Sequence, residues 1–252
     1  MKSIYPAKLN SGDTLRVIAP ASSVATFKPR NLAKIAKTRL SGLGLKVKFS
    51  KNAYQKGIFG SSSIQSRIND LHQAFKDTRV KAIICARGGY NANTLLPYID
   101  WGLIKKNPKA LMGYSDITIL CNAIYAKTGL ITYRGPTLST MGMKEEKGIV
   151  AYMLDSIKHS LMDTKTYSIS TSKYFNERTV KTKRNSGPKI LQKGKAIGTA
   201  IGGNLCSLNL LQGTPYMPSL KNAILFIEDD DFGGSQSLFE FERNLESLLQ
   251  IK

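Results

Sequence analysis

Short apolar runs alternate along the first part of the chain with segments whose apolar positions recur every three or four residues. An apolar run of roughly four to eight residues is typical of a buried strand, whereas the longer period is typical of an amphipathic helix. The runs predict strands at residues 15–20, 45–49, 80–86, 110–113 and 130–133. Helices are predicted at residues 31–40, at 64–75 after a serine cap at 61–63, and at 116–127. This alternation predicts a parallel sheet with helices on both faces.

The pattern changes after about residue 150. A helix is predicted at residues 149–161, followed by a polar linker or surface loop at 163–187. Strands at residues 196–201 and 223–227 and helices at 204–212 and 235–250 follow. The predicted fold class is therefore α/β, with a Rossmann- or flavodoxin-like parallel-sheet domain and a smaller, truncated C-terminal α/β domain. We place the first at residues 1–150, a helix and linker at 151–190, and the partial second domain at 191–252.

The composition is that of a globular protein, with 42% hydrophobic residues among 252 and a net charge of +20. No apolar run approaches the ~20 residues of a membrane span, and the first residues do not resemble a signal peptide. We therefore expect a cytoplasmic protein that does not bind a membrane. The lysines are spread along the chain and no nucleic-acid-binding motif is present, so we expect a solvated basic surface rather than a nucleic-acid partner. A functional anion-binding face is the alternative.

The three cysteines, Cys85, Cys121 and Cys206, are far apart in the sequence. Their spacing supports neither a zinc site nor a disulfide framework. Because each lies in an apolar context, we expect three buried free thiols.

A serine stands where the fourth predicted strand gives way to a helix. Ser115 follows Gly113 by two residues, which matches half of a nucleophile elbow, but Ile117 occupies the position of the second glycine. At such a turn the serine Oγ is exposed, and the helix N-terminus stabilises a developing negative charge. The alternative is that Ser115 simply caps the helix.

A glycine pair follows the third predicted strand, in the order Arg87, Gly88, Gly89, Tyr90. Paired glycines allow backbone N–H groups to approach a ligand closely. The alternative is an ordinary tight turn. Arg87 can pair with a carboxylate or brace the loop.

Four acidic residues, at positions 228–231, follow the apolar strand predicted at 223–227. Carboxylates at the end of a strand can bind a divalent metal, orient a catalytic histidine, or form a solvated loop. The sequence pattern by itself leaves all three open.

Several motifs together resemble the LD-carboxypeptidase family of serine peptidases, especially its microcin C immunity branch. The most specific are RGGYNAN at 87–93, LLPYID at 95–100, GYSDIT at 113–118 and TYRGP at 132–136. Further matches are VIAP at 17–20, GGNL at 202–205, LQGT at 211–214, ILFIED at 224–229 and FERNL at 241–245. The resemblance covers nearly the whole chain.

The resemblance implies a Ser-Glu-His triad that works without metal or cofactor. Ser115 would be the nucleophile and Glu228 the acid that orients the histidine. The backbone N–H groups of Gly89 and Asp116 would form the oxyanion hole. Four further residues would bind the substrate: Arg87, Gly88, Tyr90 and Asn204.

Two substrate classes are implied, and the resemblance also allows a homodimer. The carboxypeptidase branch releases a terminal D-amino acid from a murein tetrapeptide. The immunity branch cleaves a peptidyl- or aminoacyl-nucleotide antibiotic and so confers antibiotic resistance. The asparagines at 91 and 93 and the acidic run at 228–232 favour the second branch.

The histidine of the triad has no counterpart in the matching motifs. In the family it lies in a C-terminal segment beyond the last helix predicted here, and this chain contains only His72 and His159. We therefore expect a C-terminally truncated or split member that is inactive or impaired by itself. The alternative is a catalytically dead protein that sequesters a peptide or nucleotide-peptide.

Overall fold

The computed structural model describes residues 2–177, 180–230 and 233–250. Within these ranges no helix is both long and apolar enough to cross a membrane.

A five-stranded parallel sheet forms the centre of the first part of the chain. Its strands are β1 (Thr14–Ile18), β2 (Lys46–Phe49), β3 (Val80–Cys85), β4 (Ala110–Gly113) and β5 (Tyr133–Arg134). They lie in the order β2-β1-β3-β4-β5, and every neighbouring pair is parallel. This is the flavodoxin-like order, in which ligands bind beyond the carboxyl ends of the strands near the β1/β3 switch point. The predicted parallel-sheet fold is confirmed.

Helices cover both faces of this sheet. They are α1 (Leu32–Gly42), α2 (Ile64–Lys76), α3 (Trp101–Lys106), α4 (Ile117–Thr128), α5 (Leu138–Met141) and α6 (Ile149–Leu161), with 3-10 turns at Val24–Thr26 and Ala92–Tyr98. One core cluster joins the sheet to α2, α3 and α4, and the other joins it to α1, α5 and α6. Ser63 caps α2 as predicted, because its side chain accepts a hydrogen bond from the Ser66 N–H.

The second part of the chain contains two smaller sheets. Strands β6 (Tyr174–Glu177) and β7 (Val180–Arg184) form an antiparallel pair. Strands β8 (Thr199–Asn204) and β9 (Ala223–Glu228) are parallel, with α7 (Leu205–Asn209) between them and α8 (Gly234–Leu249) after them. Leucines of α7 and α8 join the core cluster that contains α4, whereas several apolar side chains of β9 and α8, such as Phe226 and Leu238, are exposed.

Three sequence predictions of secondary structure were wrong. The polar segment at 163–187 was predicted to be a linker or loop, but it contains β6 and β7. The strand predicted at 130–133 is instead Tyr133–Arg134, and Leu130 forms only an isolated bridge with Ile4. The helix predicted at 204–212 is limited to Leu205–Asn209, and Asn204 ends β8 and caps α7.

Candidate active site

Ser115 occupies the turn between β4 and α4 in a backbone conformation that is rare for a side-chain-bearing residue. Its φ is 61°, in the left-handed region. Such strain is found preferentially at functional sites, and it is expected of a nucleophile elbow. The residue at the cap position of α4 is Asp116, so the alternative that Ser115 is a simple helix cap is wrong.

The glycine pair after β3 lies directly against this serine. A Cβ added at Gly88 would be 2.7 Å from the Ser115 Cβ and 2.8 Å from its Oγ, so no larger residue fits there without displacement. Gly113 is needed for a similar reason, because a Cβ there would be 2.8 Å from the Ile117 Cγ2. The two glycine positions thus let the strand, the helix and the loop meet at Ser115.

Two backbone N–H groups beside Ser115 are free to bind a ligand. Neither the Gly89 nor the Asp116 N–H donates a hydrogen bond to any residue that the structure describes. Asp116 N lies 3.4 Å from the position that a Cβ of Gly88 would occupy. Uncommitted N–H groups next to a serine are what an oxyanion hole requires.

The Asp116 side chain fixes the loop that carries these N–H groups. The carboxylate is buried, and its Oδ2 accepts hydrogen bonds from the Asn91 N–H at 3.0 Å and the Ala92 N–H at 2.9 Å. Burial raises the pKa of Asp116, while these two hydrogen bonds and the charge of Arg67 oppose the shift. The side chain therefore fixes the glycine loop (residues 87–91), while the backbone N–H of the same residue donates no hydrogen bond within the described part of the chain.

Arg67 is a buried part of the site that the sequence analysis missed. Its Nη1 donates to the Pro20 carbonyl at 2.9 Å and to the Asn91 carbonyl at 3.1 Å, and its Nη2 donates to the Thr94 hydroxyl at 3.1 Å. It thereby ties the loop after β1 to the glycine loop. A signal was available, because an arginine at this position interrupts the apolar face of α2 beside Ile68.

Glu228 lies at the same edge of the molecule as Ser115, at the carboxyl end of β9. Its Oε1 forms an ion pair with the Arg134 Nη2 at 2.7 Å. Arg134 pairs with Gly113 across the sheet and its guanidinium lies 4.9 Å from the centre of the Phe226 ring. Arg134 belongs to the TYRGP motif, but only tertiary structure shows that it is the partner of Glu228.

Asn204 connects the two parts of the site. Its N–H donates to the Thr118 hydroxyl at 3.0 Å, and its side-chain amide donates to Asp230 at 3.3 Å. Its side-chain oxygen accepts from the Ser207 N–H, which caps α7. The amide of Asn204 is therefore already engaged.

The acidic run after β9 contacts neighbouring helices. Asp229 accepts hydrogen bonds from the Cys206 N–H and the Asn244 side chain. Burial and the charges of Asp229 and Glu228 raise the pKa of Asp230. Asp231, like residue 232, lies outside the described residues. Among those that are described, no group of three or more His, Cys, Asp or Glu side chains is placed to hold a metal. Cys206 is exposed rather than buried as expected, whereas Cys85 and Cys121 are buried.

The other two residues predicted to bind substrate lie at the margin of the site. The Arg87 guanidinium stacks 4.7 Å from the centre of the Phe27 ring and contacts the Thr26 carbonyl. The Tyr90 side chain is 94% exposed, so it is available to a ligand.

Neither histidine forms a hydrogen bond with Ser115. The His72 Nε2 accepts the Asp100 N–H, and His72 lies nine residues beyond the α2 cap, about 13 Å along the helix from the end that borders the site. The His159 Nδ1 is 2.6 Å from an Asp163 oxygen, and its ring stacks on Tyr167. The Ser115 hydroxyl has no hydrogen-bond partner within the part of the chain that the structure describes.

A strained serine at a strand-to-helix turn, with free N–H groups beside it in a flavodoxin-like sheet, indicates a serine hydrolase with an α/β fold. Comparison with family models agrees with this class. Residues 15–135 match the LD-carboxypeptidase N-terminal domain and residues 197–252 match the C-terminal domain. The chain belongs to the LD-carboxypeptidase family of serine peptidases.

Individual relatives support this assignment. A provisionally assigned carboxypeptidase of Bacillus subtilis (strain 168), YocD, is 44% identical over 98% of this chain and 76% of its own length. The crystal structure of an MccF-like protein from Bacillus anthracis superposes with a TM-score of 0.94 at 45% identity, covering 99% of this chain and 77% of that one. Microcin C7 self immunity protein MccF, in complex with aspartyl sulfamoyl adenosine, gives a TM-score of 0.83 at 29% identity and covers 98% and 76% of the two chains.

Proposed function

We propose that this chain has the nucleophile, the acid and the oxyanion hole of a serine peptidase that cleaves an amide bond by a Ser-Glu-His triad. Ser115 is the nucleophile, Glu228 is the acid, and the N–H groups of Gly89 and Asp116 bind the oxyanion. The observation that carries this proposal is the left-handed backbone of Ser115 with Gly88 packed against its side chain. In this reaction the Ser115 Oγ attacks the carbonyl carbon, the C–N bond breaks, and the amine leaves with the proton taken from the serine. Water then hydrolyses the acyl ester on Ser115 and restores the hydroxyl.

The proposed reaction needs a base that takes the Ser115 proton. Serine is a weak nucleophile at neutral pH without one. Because both histidines are engaged elsewhere, we expect the chain alone to be inactive or strongly impaired. Loss of one triad member typically leaves a residual rate enhancement of about 10³–10⁴ over water, which comes from the oxyanion hole and binding.

The substrate class follows from the family and from its relatives. The family is named for cleavage of LD-peptides, and MccF binds aspartyl sulfamoyl adenosine. We propose either a murein tetrapeptide or a peptidyl- or aminoacyl-nucleotide as the substrate, contacted by Arg87, Gly88, Tyr90 and Asn204. For Asn204 to contact a ligand directly, its amide would exchange the hydrogen bond to Asp230. A homodimer is part of the same proposal, and light scattering in solution tests it.

The test is product formation from aspartyl sulfamoyl adenosine and from a murein tetrapeptide. Mass spectrometry monitors both reactions over several days. We expect slow release of the amino acid from one of them, lost in Ser115→Ala but kept in Ser41→Ala, which alters an exposed serine on α1. Product formation that is unchanged in Ser115→Ala would contradict the assignment of the nucleophile.

A second candidate function is binding without turnover. It is favoured by the positions of the two histidines, since each already contacts other residues. Calorimetry with the same two compounds distinguishes the candidates. Stoichiometric binding without any product would support the binding protein and count against the peptidase.

A further inference from the structure

A second cavity, separate from the Ser115 site, lies on the β2 side of the sheet. Its volume is about 660 Å³, within the range of small-molecule sites. It is bounded by the segment after β1, by the first turns of α1, and by the end of β2. The residues that line it are Val24, Ala25, Phe27, Arg30, Ala33, Lys34, Lys37, Phe49 and Tyr54. None of them belongs to the proposed catalytic machinery.

One wall of this cavity is positively charged. Lys34 and Lys37, three residues apart, lie along one side of α1, and Arg30 lies two residues before that helix begins at Leu32. None of the three forms an ion pair with a residue in the described ranges, and no acidic side chain lines the cavity. Like charges at this spacing repel one another. A bound anion would relieve that repulsion.

The other wall is aromatic. The rings of Phe49 and Tyr54 are 5.3 Å apart between centroids and are tilted by 44°. Phe27 is buried beneath the cavity, and Arg87 of the glycine loop stacks on its ring. Aromatic side chains next to cations suit a ligand that has both a flat ring and a negative charge, because stacking and charge pairing can then act together.

We propose that this cavity binds an aromatic anion, that is, a phosphate or carboxylate attached to a ring system. The ring packs on Phe49 and Tyr54, and the anionic group is held by Lys34 and Lys37 with Arg30 beside them. This site is independent of the proposed peptidase activity. It gives a local function to part of the large positive charge, which is otherwise spread over the surface.

The test is a calorimetric titration of the full chain with 1-naphthyl phosphate at about 0.15 M salt, where exposed charges more than about 8 Å apart are largely screened. Inorganic phosphate and 1-naphthol serve as the anion-only and ring-only probes. The informative variant is Lys34→Gln/Lys37→Gln. The matched control is Lys46→Gln/Lys48→Gln, which removes the same charge from exposed positions of β2.

We expect 1-naphthyl phosphate to bind at least about 10-fold more tightly than either probe. Because the two lysine charges that would hold the anionic group are lost, we expect the Lys34/Lys37 variant to bind it more weakly by about 10-fold or more. The control should change affinity by less than about twofold, since exposed charges at a distance are largely screened. Equal weakening by both double variants, binding of phosphate as tight as that of naphthyl phosphate, or no saturable binding would each overturn the proposal. Tyr54→Ala, which leaves the charges in place, should also weaken naphthyl phosphate but not phosphate.

Discussion

The carboxylate of Asp116 is predicted to hold the glycine loop in place, and its removal measures that contribution. In Asp116→Ala the N–H groups of Asn91 and Ala92 both lose their acceptor, and Ala92 is fully buried. An unsatisfied buried N–H costs about 1–3 kcal/mol. We therefore expect Asp116→Ala to lower the free energy of unfolding by about 2–4 kcal/mol.

The variant Asp116→Asn separates the effect of the charge from that of the hydrogen-bond acceptor. Burial raises the pKa of Asp116, so the folded state disfavours the ionised carboxylate, and a neutral amide avoids that penalty. An asparagine keeps one oxygen acceptor and loses only the charge. We expect it to cost about 1–2 kcal/mol, less than the alanine, because neutral hydrogen bonds are roughly half as strong as charge-assisted ones.

Urea unfolding followed by the fluorescence of Trp101, the single tryptophan, provides the assay. Asp155→Ala changes an exposed carboxylate on α6 and should stay within about 0.5 kcal/mol of the parent. The reasoning is refuted if Asp116→Ala also falls within that margin, or if Asp116→Asn is the more damaging of the two.

Three further predictions follow from single residues. Gly88→Ala should lower the free energy of unfolding by about 1–3 kcal/mol and abolish reaction at Ser115. Gly194→Ala, which has open space around it, should have neither effect. Urea unfolding measures the stability, and product release measures the reaction. Hydrogen bonds from Arg79 lower the pKa of Asp77 to about 2. The free energy of unfolding should therefore exceed that of Asp77→Asn above about pH 4, and this difference should disappear as the pH falls towards 2. Burial lowers the pKa of Lys109 to about 8. The free energy of unfolding, measured relative to that of Lys109→Met, should therefore rise by about 1–3 kcal/mol between pH 8 and 10.5. A difference that does not change with pH would contradict this.

Local sequence patterns predicted β3 and β4 well because these two central strands are almost entirely buried. Residues 80–85 and 110–113 are almost entirely apolar and buried, so their pattern has few other interpretations. The strands β6 and β7 lack such a pattern. Their sequences, YFNE and VKTKR, have no continuous apolar run, and the two strands are paired by the backbone hydrogen bonds of a two-stranded sheet.

The candidate site was only partly predictable, for a different physical reason. A helix cap and a nucleophile elbow can share the same local sequence, and they are separated here by the φ of Ser115 and by the cap position of Asp116. The ion pair between Arg134 and Glu228 joins residues that are far apart in the chain, so no local pattern could indicate it. The division of the chain at residues 150 and 190 stays a prediction.

The central claim is that Ser115 is a nucleophile that faces an oxyanion hole. The most direct measurement is the covalent labelling of the full chain by a fluorophosphonate, located by peptide mass spectrometry. We predict one slow but selective adduct at Ser115, absent in Ser115→Ala and strongly reduced in Asp116→Ala. An adduct at another serine, or labelling of Ser115 no faster than that of the exposed Ser41, would contradict the claim.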